Sequence, residues 1–157
     1  MKSITVIWGD GNMEEKTELE NGKIVIRTAG LSDAELLLSL DRHISRSELE
    51  SIIGLGRVFI LECGGSFAGW LRYGLFWDNT PFMNMLFLLE EYRGRGFGKI
   101  IVEFWERKMA EYGYAEVMTS TASDEYAQHF YNRLGYSTVG GFAPSGDPFE
   151  LILTKKI

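Results

Sequence analysis

Apolar and polar residues change their period repeatedly along this chain, and each change marks an element. Ile24-Val25-Ile26-Arg27 reads as a strand, and Val58 to Cys63 and Phe67 to Trp77 read as two more, joined by the hairpin signal Gly64-Gly65. Between them, Ser32-x-x-Glu35 is a capping box that predicts a helix through about Ile44. Ser45-x-x-Glu48 opens a second helix through Ile53, and Gly54 and Gly56 end the pair. Asp78-Asn79-Thr80-Pro81 is a turn leading into Phe82 to Leu89, a run too apolar to face water on either side. Lys99 to Tyr112 then places Ile101, Trp105, Met109 and Tyr112 at helical spacing, with Lys99, Glu103, Arg107 and Glu111 on another face. Ala115 to Ser120 reads as a strand. A last helix follows, with Ser123 as N-cap, Asp124 and Glu125 in its first turn, and Ala127, Phe130, Tyr131 and Leu134 on one apolar face before Gly135 closes it. Ser137 to Gly141 and Glu150 to Lys155 are final strands flanking a loop with Pro144, Gly146 and Pro148.

Ahead of this pattern, Ile4 to Trp8 is a short β-like run followed by Gly9-Asp10-Gly11-Asn12 and an acidic stretch to Lys23. Residues 1–23 therefore read as an N-terminal extension, a strand or hairpin or a partly disordered arm, before one domain over residues 24–157. A chain of 157 residues with 45% apolar and 13% aromatic content suits a single domain with a substantial core. No repeat, low-complexity tract or linker interrupts it. The apolar runs are too brief for a signal-peptide core or a membrane span, so no membrane partner is expected. The lone Cys63 rules out an intrachain disulfide and fits a cytoplasmic protein. A formal charge of −6 argues against nucleic acid and mildly favours a cationic amine as substrate. Two histidines and one cysteine lack metal-ligand spacing, and no Gly-x-Ser-x-Gly elbow supports a serine nucleophile.

The most informative segment is Glu91-Tyr92-Arg93-Gly94-Arg95-Gly96-Phe97-Gly98-Lys99, where three glycines and three cations lie between an apolar strand and an amphipathic helix. A glycine-rich turn opening a helix gathers unpaired N–H groups and the positive end of the helix dipole at one point. That point suits a phosphate. A Walker loop fails, because Arg93 occupies its first glycine position and Ile100 the position of the magnesium-binding hydroxyl. A dinucleotide fingerprint fails too, because the glycines run Gly-x-Gly-x-Gly and no acidic residue ends a second strand downstream. What remains, Arg93-x-x-Gly96-x-Gly98, resembles the pyrophosphate loop of the GCN5-related N-acetyltransferase (GNAT) family. The separate segment Ala127-x-x-Phe130-Tyr131-x-x-Leu134-Gly135-Tyr136 is similar to a second signature of that family, in the family's order and spacing.

The resemblance covers about residues 24–157 and implies the α/β acyl-CoA N-acyltransferase fold, a mixed sheet in the order β-α-α-β-β-β-α-β-α-β-β splayed near its centre. It implies acetyl-CoA as co-substrate and a small-molecule or peptide amine as acceptor. By the same resemblance, Leu86, Phe87 and Leu88 supply a backbone edge for the pantetheine arm. Arg93, Gly94, Arg95, Gly96, Phe97, Gly98 and Lys99 form the diphosphate cradle, although Arg95 and Lys99 also read as two solvated cations beside a turn. Tyr131 corresponds to the family's general acid near the thioester sulfur, and an ordinary phenol of about 10 is well matched to a leaving thiolate of about 8.5 to 10. A backbone N–H near Leu88 would polarise the carbonyl. Oligomeric state is not readable from the sequence; family members are often dimers, which leaves a homodimer open, with residues 1–23 available to an interface.

Two positions depart from the family's pattern. Where many members carry a glutamate base on the strand before the last long helix, this chain has Thr119, and a hydroxyl is no base at neutral pH. Asp78, Glu62, Asp41 and His43 are the alternative carboxylates and imidazole; a water relay or an amine that arrives neutral would also serve. Where many members place an asparagine that bonds the pantetheine arm, this chain has Asp124, which accepts a hydrogen bond but cannot donate one. Asp41 to Ile44 and Trp77 to Asn79 are the segments expected to face the acceptor, while Trp70, Trp77 and Phe76 read as core. The exchange at Thr119 also admits a second class of function, a catalytically weak acyl-CoA-binding module serving as sensor or interaction protein.

Overall fold

The strands are realised much as the pattern predicts, and so, of the predicted helix caps, is Ser45. The computed structural model describes residues 4–9, 12–19 and 22–157, with side chains from residue 23 onward. Its elements are β1 (Ile4–Gly9), β2 (Asn12–Leu19), β3 (Gly22–Thr28), α1 (Ala34–Leu40), α2 (Arg46–Gly54), β4 (Val58–Cys63), β5 (Ser66–Phe76), β6 (Thr80–Leu88), α3 (Phe97–Glu111), β7 (Glu116–Ala122), α4 (Ala127–Arg133), β8 (Ser137–Phe142) and β9 (Glu150–Lys156). From β3 onward this is the expected order. Among the described residues no helix is long and apolar enough to cross a membrane.

The chain divides into two compact units. The first runs to Arg72 and takes in Met85–Ile101. Here β1 to β5 pair successively and antiparallel. Ile24 and Ile26 are buried on β3 while their neighbours are not, the period-two signature of a strand with one covered face. Leu37 of α1, Leu49 and Ile53 of α2, and Val58, Ile60 and Trp70 of the strands form its core, with Met85 and Phe87 packed on it. Gly64 and Gly65 adopt φ of 60° and 82°, the two left-handed residues of the tight turn joining β4 to β5.

Three boundaries in this unit differ from the sequence reading, or confirm it, for identifiable reasons. Asp33 rather than Ser32 stands immediately before α1, and its side chain caps no N–H of that helix: its carboxylate accepts from the Gly30 N–H at 2.8 Å while Arg27 holds it by two bonds of 2.8 Å. The Arg27 guanidinium keeps that carboxyl below the usual range against the opposing effect of burial. Helix α1 ends at Leu40, well short of Ile44, because Asp41 leaves helical geometry at φ −128° and turns inward. There its Oδ2 accepts from Arg72 Nε at 3.0 Å and Nη2 at 2.9 Å, and its Oδ1 from the His43 N–H at 2.8 Å. Ser45 caps α2 as expected, accepting from the Glu48 N–H at 3.2 Å.

The second unit comprises Tyr73–Asn84 and Val102–Ile157. Its strands run β6-β7-β9-β8, with β7 parallel to β6 and β9 inserted antiparallel between β7 and β8. Phe104, Trp105 and Met109 of α3, Val117 of β7 and Leu153 of β9 are fully buried. Tyr112, expected on the apolar face of α3, is exposed, since the helix stops at Glu111 and Gly113 takes φ 89°. Strand β5 ends at Phe76, and the turn falls on Trp77 and Asp78 at φ 51° and 61°, so Pro81 lies inside β6 instead of in the turn. Trp77 is 81% exposed and is no core residue, unlike Trp70. Helix α4 begins at Ala127, not after Ser123: the Ser123 N–H donates to the Phe149 carbonyl at 2.8 Å, which holds residues 123–125 in a turn.

The Asp41–Arg72 pair is buried on both sides, with Asp41 only 2% exposed. Burial pushes the Asp41 carboxyl up, but the His43 N–H and the Arg72 guanidinium outweigh it and leave the group below its ordinary value. Asp41→Ala strands a buried guanidinium and is expected to cost about 3–5 kcal/mol in urea denaturation. Since the folded carboxyl titrates below its unfolded value, the pair's contribution is present above about pH 4 and drains as pH falls further. Equal midpoints for Asp41→Ala and the parent protein would contradict this.

Candidate active site

The glycine-rich loop lies wholly in the first unit. Leu88 ends β6, a short turn covers Glu90–Tyr92, and α3 begins at Phe97. Gly94 and Gly96 take φ of 69° and 85°, a region costly for any residue with a Cβ, and a Cβ at either position would enter open space. The chain is thus bent without filling the hollow. Gly98 and Phe97 are buried at the start of α3, and the N–H groups of its first turn, those of Phe97 and Gly98 among them, face out of the helix end. Arg93 Nε donates to the Leu88 carbonyl at 3.0 Å with its guanidinium over Phe87. Arg95 folds back on Tyr92 and Phe97 and donates to the Glu91 carbonyl at 3.2 Å. Both arginines thus brace the loop while remaining exposed, and Lys99 is exposed beside them.

Upstream, the Phe87–Leu88 segment is set against Gly69 of β5. A Cβ at Gly69 would collide with the Phe87 carbonyl oxygen and the Leu88 side chain. The β4·β5 register slips beside it, and the Leu89 N–H donates to the Ala68 carbonyl at 2.9 Å. This close approach is what glycine at 69 permits. The run Phe82–Leu89 is less covered than its apolar character predicts: Asn84 is exposed and Met85 to Leu88 are only half-buried. The reason is pairing. The β6·β7 register comprises Phe82↔Met118 and Met83↔Thr119 alone.

In the second unit, that last pair is tied by a side chain. Thr119 Oγ1 donates to the Met83 carbonyl at 3.0 Å in a buried setting. The Tyr131 phenol interacts with the same Thr119 hydroxyl. Tyr131 is buried, edge-on to the rings of Phe130 and Tyr136. Burial pushes its pKa up to about 12, the Thr119 hydroxyl opposes this and the Glu125 carboxylate adds to it. The phenol is therefore neutral throughout ordinary pH, and a weaker acid than the value near 10 read from sequence.

Alternation along β6 and β7 sends the next residues, Asn84 and Ser120, to the other face. There they line an open groove of about 380 Å³ with Phe76, Phe82, Phe142 and Ile152. None of its lining residues is charged. Of the four base candidates, Asp41 pairs with Arg72, Glu62 accepts from Arg27 Nε at 2.8 Å, His43 is 85% exposed with Nδ1 3.2 Å from Asp41, and Asp78 is an exposed turn residue. Asp124 is exposed in the turn ahead of α4. Among the described residues no cluster of His, Cys, Asp or Glu is placed to hold a metal ion. Sequence reasoning missed Asn84, the one polar side chain within an otherwise apolar run and so a signal that was available; it named Ser120 only as a residue that could take over, with Ser123, the arm contact that Asp124 cannot donate.

The family model described as the Acetyltransferase (GNAT) family matches residues 33–136. No curated protein matches the sequence. Among solved structures, the chain is similar to Ard1 from Thermoplasma volcanium, at 14% identity and a TM-score of 0.74 over 85% of this chain and 97% of that one. It is similar to the PaiA N-acetyltransferase from Thermoplasma acidophilum in complex with coenzyme A, at 18% identity and a TM-score of 0.71 over 85% and 99%. It is also similar to the ribosomal-protein-S18-alanine N-acetyltransferase from Escherichia coli, at 17% identity and a TM-score of 0.72 over 85% and 94%. At these identities the likeness establishes the fold, the mixed sheet of the acyl-CoA N-acyltransferases.

A phenol held neutral to about pH 12 when its unfolded value is about 10 links folding to protons at alkaline pH. The folded state keeps a proton that the unfolded chain has lost, so stability falls as pH rises from about 10 to 12. The expected difference between parent and Tyr131→Phe is one proton's slope in the pH dependence of urea unfolding over that window. Parallel slopes would contradict the assigned burial.

Proposed function

This chain belongs to the acetyltransferase (GNAT) family, and on that premise we propose that it moves an acetyl group from acetyl-CoA to the primary amine of a small-molecule or peptide acceptor. The observation that carries the reading is the loop Arg93–Lys99, where two left-handed glycines bare main-chain donors at the mouth of α3 while leaving the adjoining space open. A diphosphate fits that arrangement, since first-turn N–H groups and the helix dipole both favour an anion. Half-buried Leu86, Phe87 and Leu88 would present main-chain groups to the pantetheine arm, as an added strand does at a sheet edge. Asp124 stands at the corresponding arm contact as an acceptor only.

The thioester supplies an acyl carbon activated toward nitrogen. In the transfer an N–C bond forms and the C–S bond breaks; the amine gives up one proton and sulfur gains one. A main-chain N–H near Leu88 would stabilise the oxyanion. Tyr131, expected from the resemblance as a general acid, is the group proposed to meet the leaving sulfur. At about 12 it is a weaker acid than a thiol near 8.5, so it acts by donating a hydrogen bond to the developing thiolate, and the ammonium formed by attack is the stronger acid that finally neutralises it. Thr119 takes no proton. Its own proton goes to the Met83 carbonyl.

Calorimetric titration of coenzyme A and a thiol-release assay over a panel of amines test the reading together. Tight binding is expected, weakened at least about tenfold in Gly96→Val, whose circular dichroism should remain that of the parent. Amine-dependent thiol release above hydrolysis should fall by about 10²–10⁴ in Tyr131→Phe. Undetectable binding would overturn the proposal. Binding without turnover on any amine would instead identify the acyl-CoA-binding module that Thr119 also allows.

A further inference from the structure

The groove of the second unit has an unusual composition for a site handling amines. Three phenylalanines and Ile152 supply its walls, and its polar groups are the Asn84 amide and the Ser120 hydroxyl. Its volume of about 380 Å³ lies near the lower end of small-molecule pockets, enough for one ring with a short side arm. A polycation entering it would shed water without meeting an opposite charge, which is costly. An amine on an apolar ring loses little on entry, and the same lining favours its neutral form. That neutral form is what a site with threonine at position 119 needs.

The hairpin beside the groove points the same way. Trp77 and Asp78 both sit at positive φ, where glycine or asparagine is the ordinary choice and a tryptophan is strained. Trp77 is nonetheless kept there, exposed, with its ring 4.8 Å from that of Phe76, which in turn lies 6.1 Å from Phe82. The strained residue thus caps an aromatic row that forms one wall of the groove, with Phe142 on β8 as another. The tight turn, closed by the Asn79 N–H donating to the Phe76 carbonyl at 3.2 Å, needs the two positive φ values, but it does not call for an exposed indole, which here extends the aromatic wall.

Building on the acetyltransferase reading, we propose that this groove is the acceptor subsite and takes a small primary amine carried on a flat aromatic ring. The ring lies against Phe76, Phe82 and Phe142, with the amine near Asn84 and Ser120. Phe142 is a direct contact in this assignment. Trp77 is a positioning residue that acts through Phe76.

The test compares 2-phenylethylamine and tryptamine with spermidine and lysine as acceptors, with coenzyme A affinity measured in parallel. The aromatic amines are expected to show kcat/KM at least about tenfold above the polycation and the amino acid. Phe142→Ser, at a half-exposed edge-strand position, should raise KM for 2-phenylethylamine about tenfold with coenzyme A affinity unchanged. Trp77→Gly should raise that KM with kcat unchanged while moving the urea midpoint upward, because glycine relieves the strained φ; a merely structural tryptophan would leave KM alone. Equal or better turnover of spermidine or lysine, unchanged KM in both variants, or coenzyme A binding with no turnover of the aromatic amines would overturn the subsite. Loss of coenzyme A binding in the parent protein would instead remove the reading on which it rests.

Discussion

A single buried hydroxyl marks where β6 and β7 part. Met83↔Thr119 is the last pair of their parallel ladder, and the Thr119 hydroxyl bonds the Met83 carbonyl at 3.0 Å on that same rung. Beyond it β6 continues toward the glycine-rich loop with its residues half-covered. A strand edge without a neighbour retains main-chain donors and acceptors that need partners, so it is a ready receiver for an extended ligand. The Tyr131 phenol interacts with the same hydroxyl. One threonine therefore ends the ladder and adjoins the residue proposed to meet the leaving sulfur. The cost is the carboxylate that many family members carry there.

That exchange shapes the rest of the account. On the proposed reading, with no carboxylate at position 119 the amine arrives neutral or loses its proton to another group or solvent, and an apolar surrounding shifts its equilibrium toward the neutral form. The uncharged groove on the other face of β7 provides such a surrounding. In the first unit the constraints are steric instead. Gly69 admits the Phe87 carbonyl and the Leu88 side chain, and Gly94 and Gly96 bend the loop through left-handed backbone while leaving its hollow empty of side chains.

The order of strands and helices from Ile24 onward was legible because each depends on local periodicity and on caps such as Ser45 and Gly64-Gly65. The errors fall where a distant partner overrode a local signal. Asp41 leaves α1 early to meet Arg72, the Asp33 carboxylate ties the start of α1 back to Gly30 and Arg27 in place of a Ser32 cap, and the Phe149 carbonyl draws Ser123 out of its helix. Trp77 reads as core by composition yet closes a hairpin in the open. The loop glycines and Tyr131 could be named from motif spacing, but the Thr119 link and the groove could not, since they combine residues from strands far apart in sequence.

Amide hydrogen exchange along β6 tests the central claim most directly. If the strand edge past Met83 is kept open for the arm of a thioester, the amides of residues 85–88 that face away from β5 exchange quickly in the free protein and become protected when coenzyme A is added, whereas protection at Met83 barely changes. Amides already slow without coenzyme A, or unaltered by saturating amounts of it, would show that this edge is not where the ligand binds.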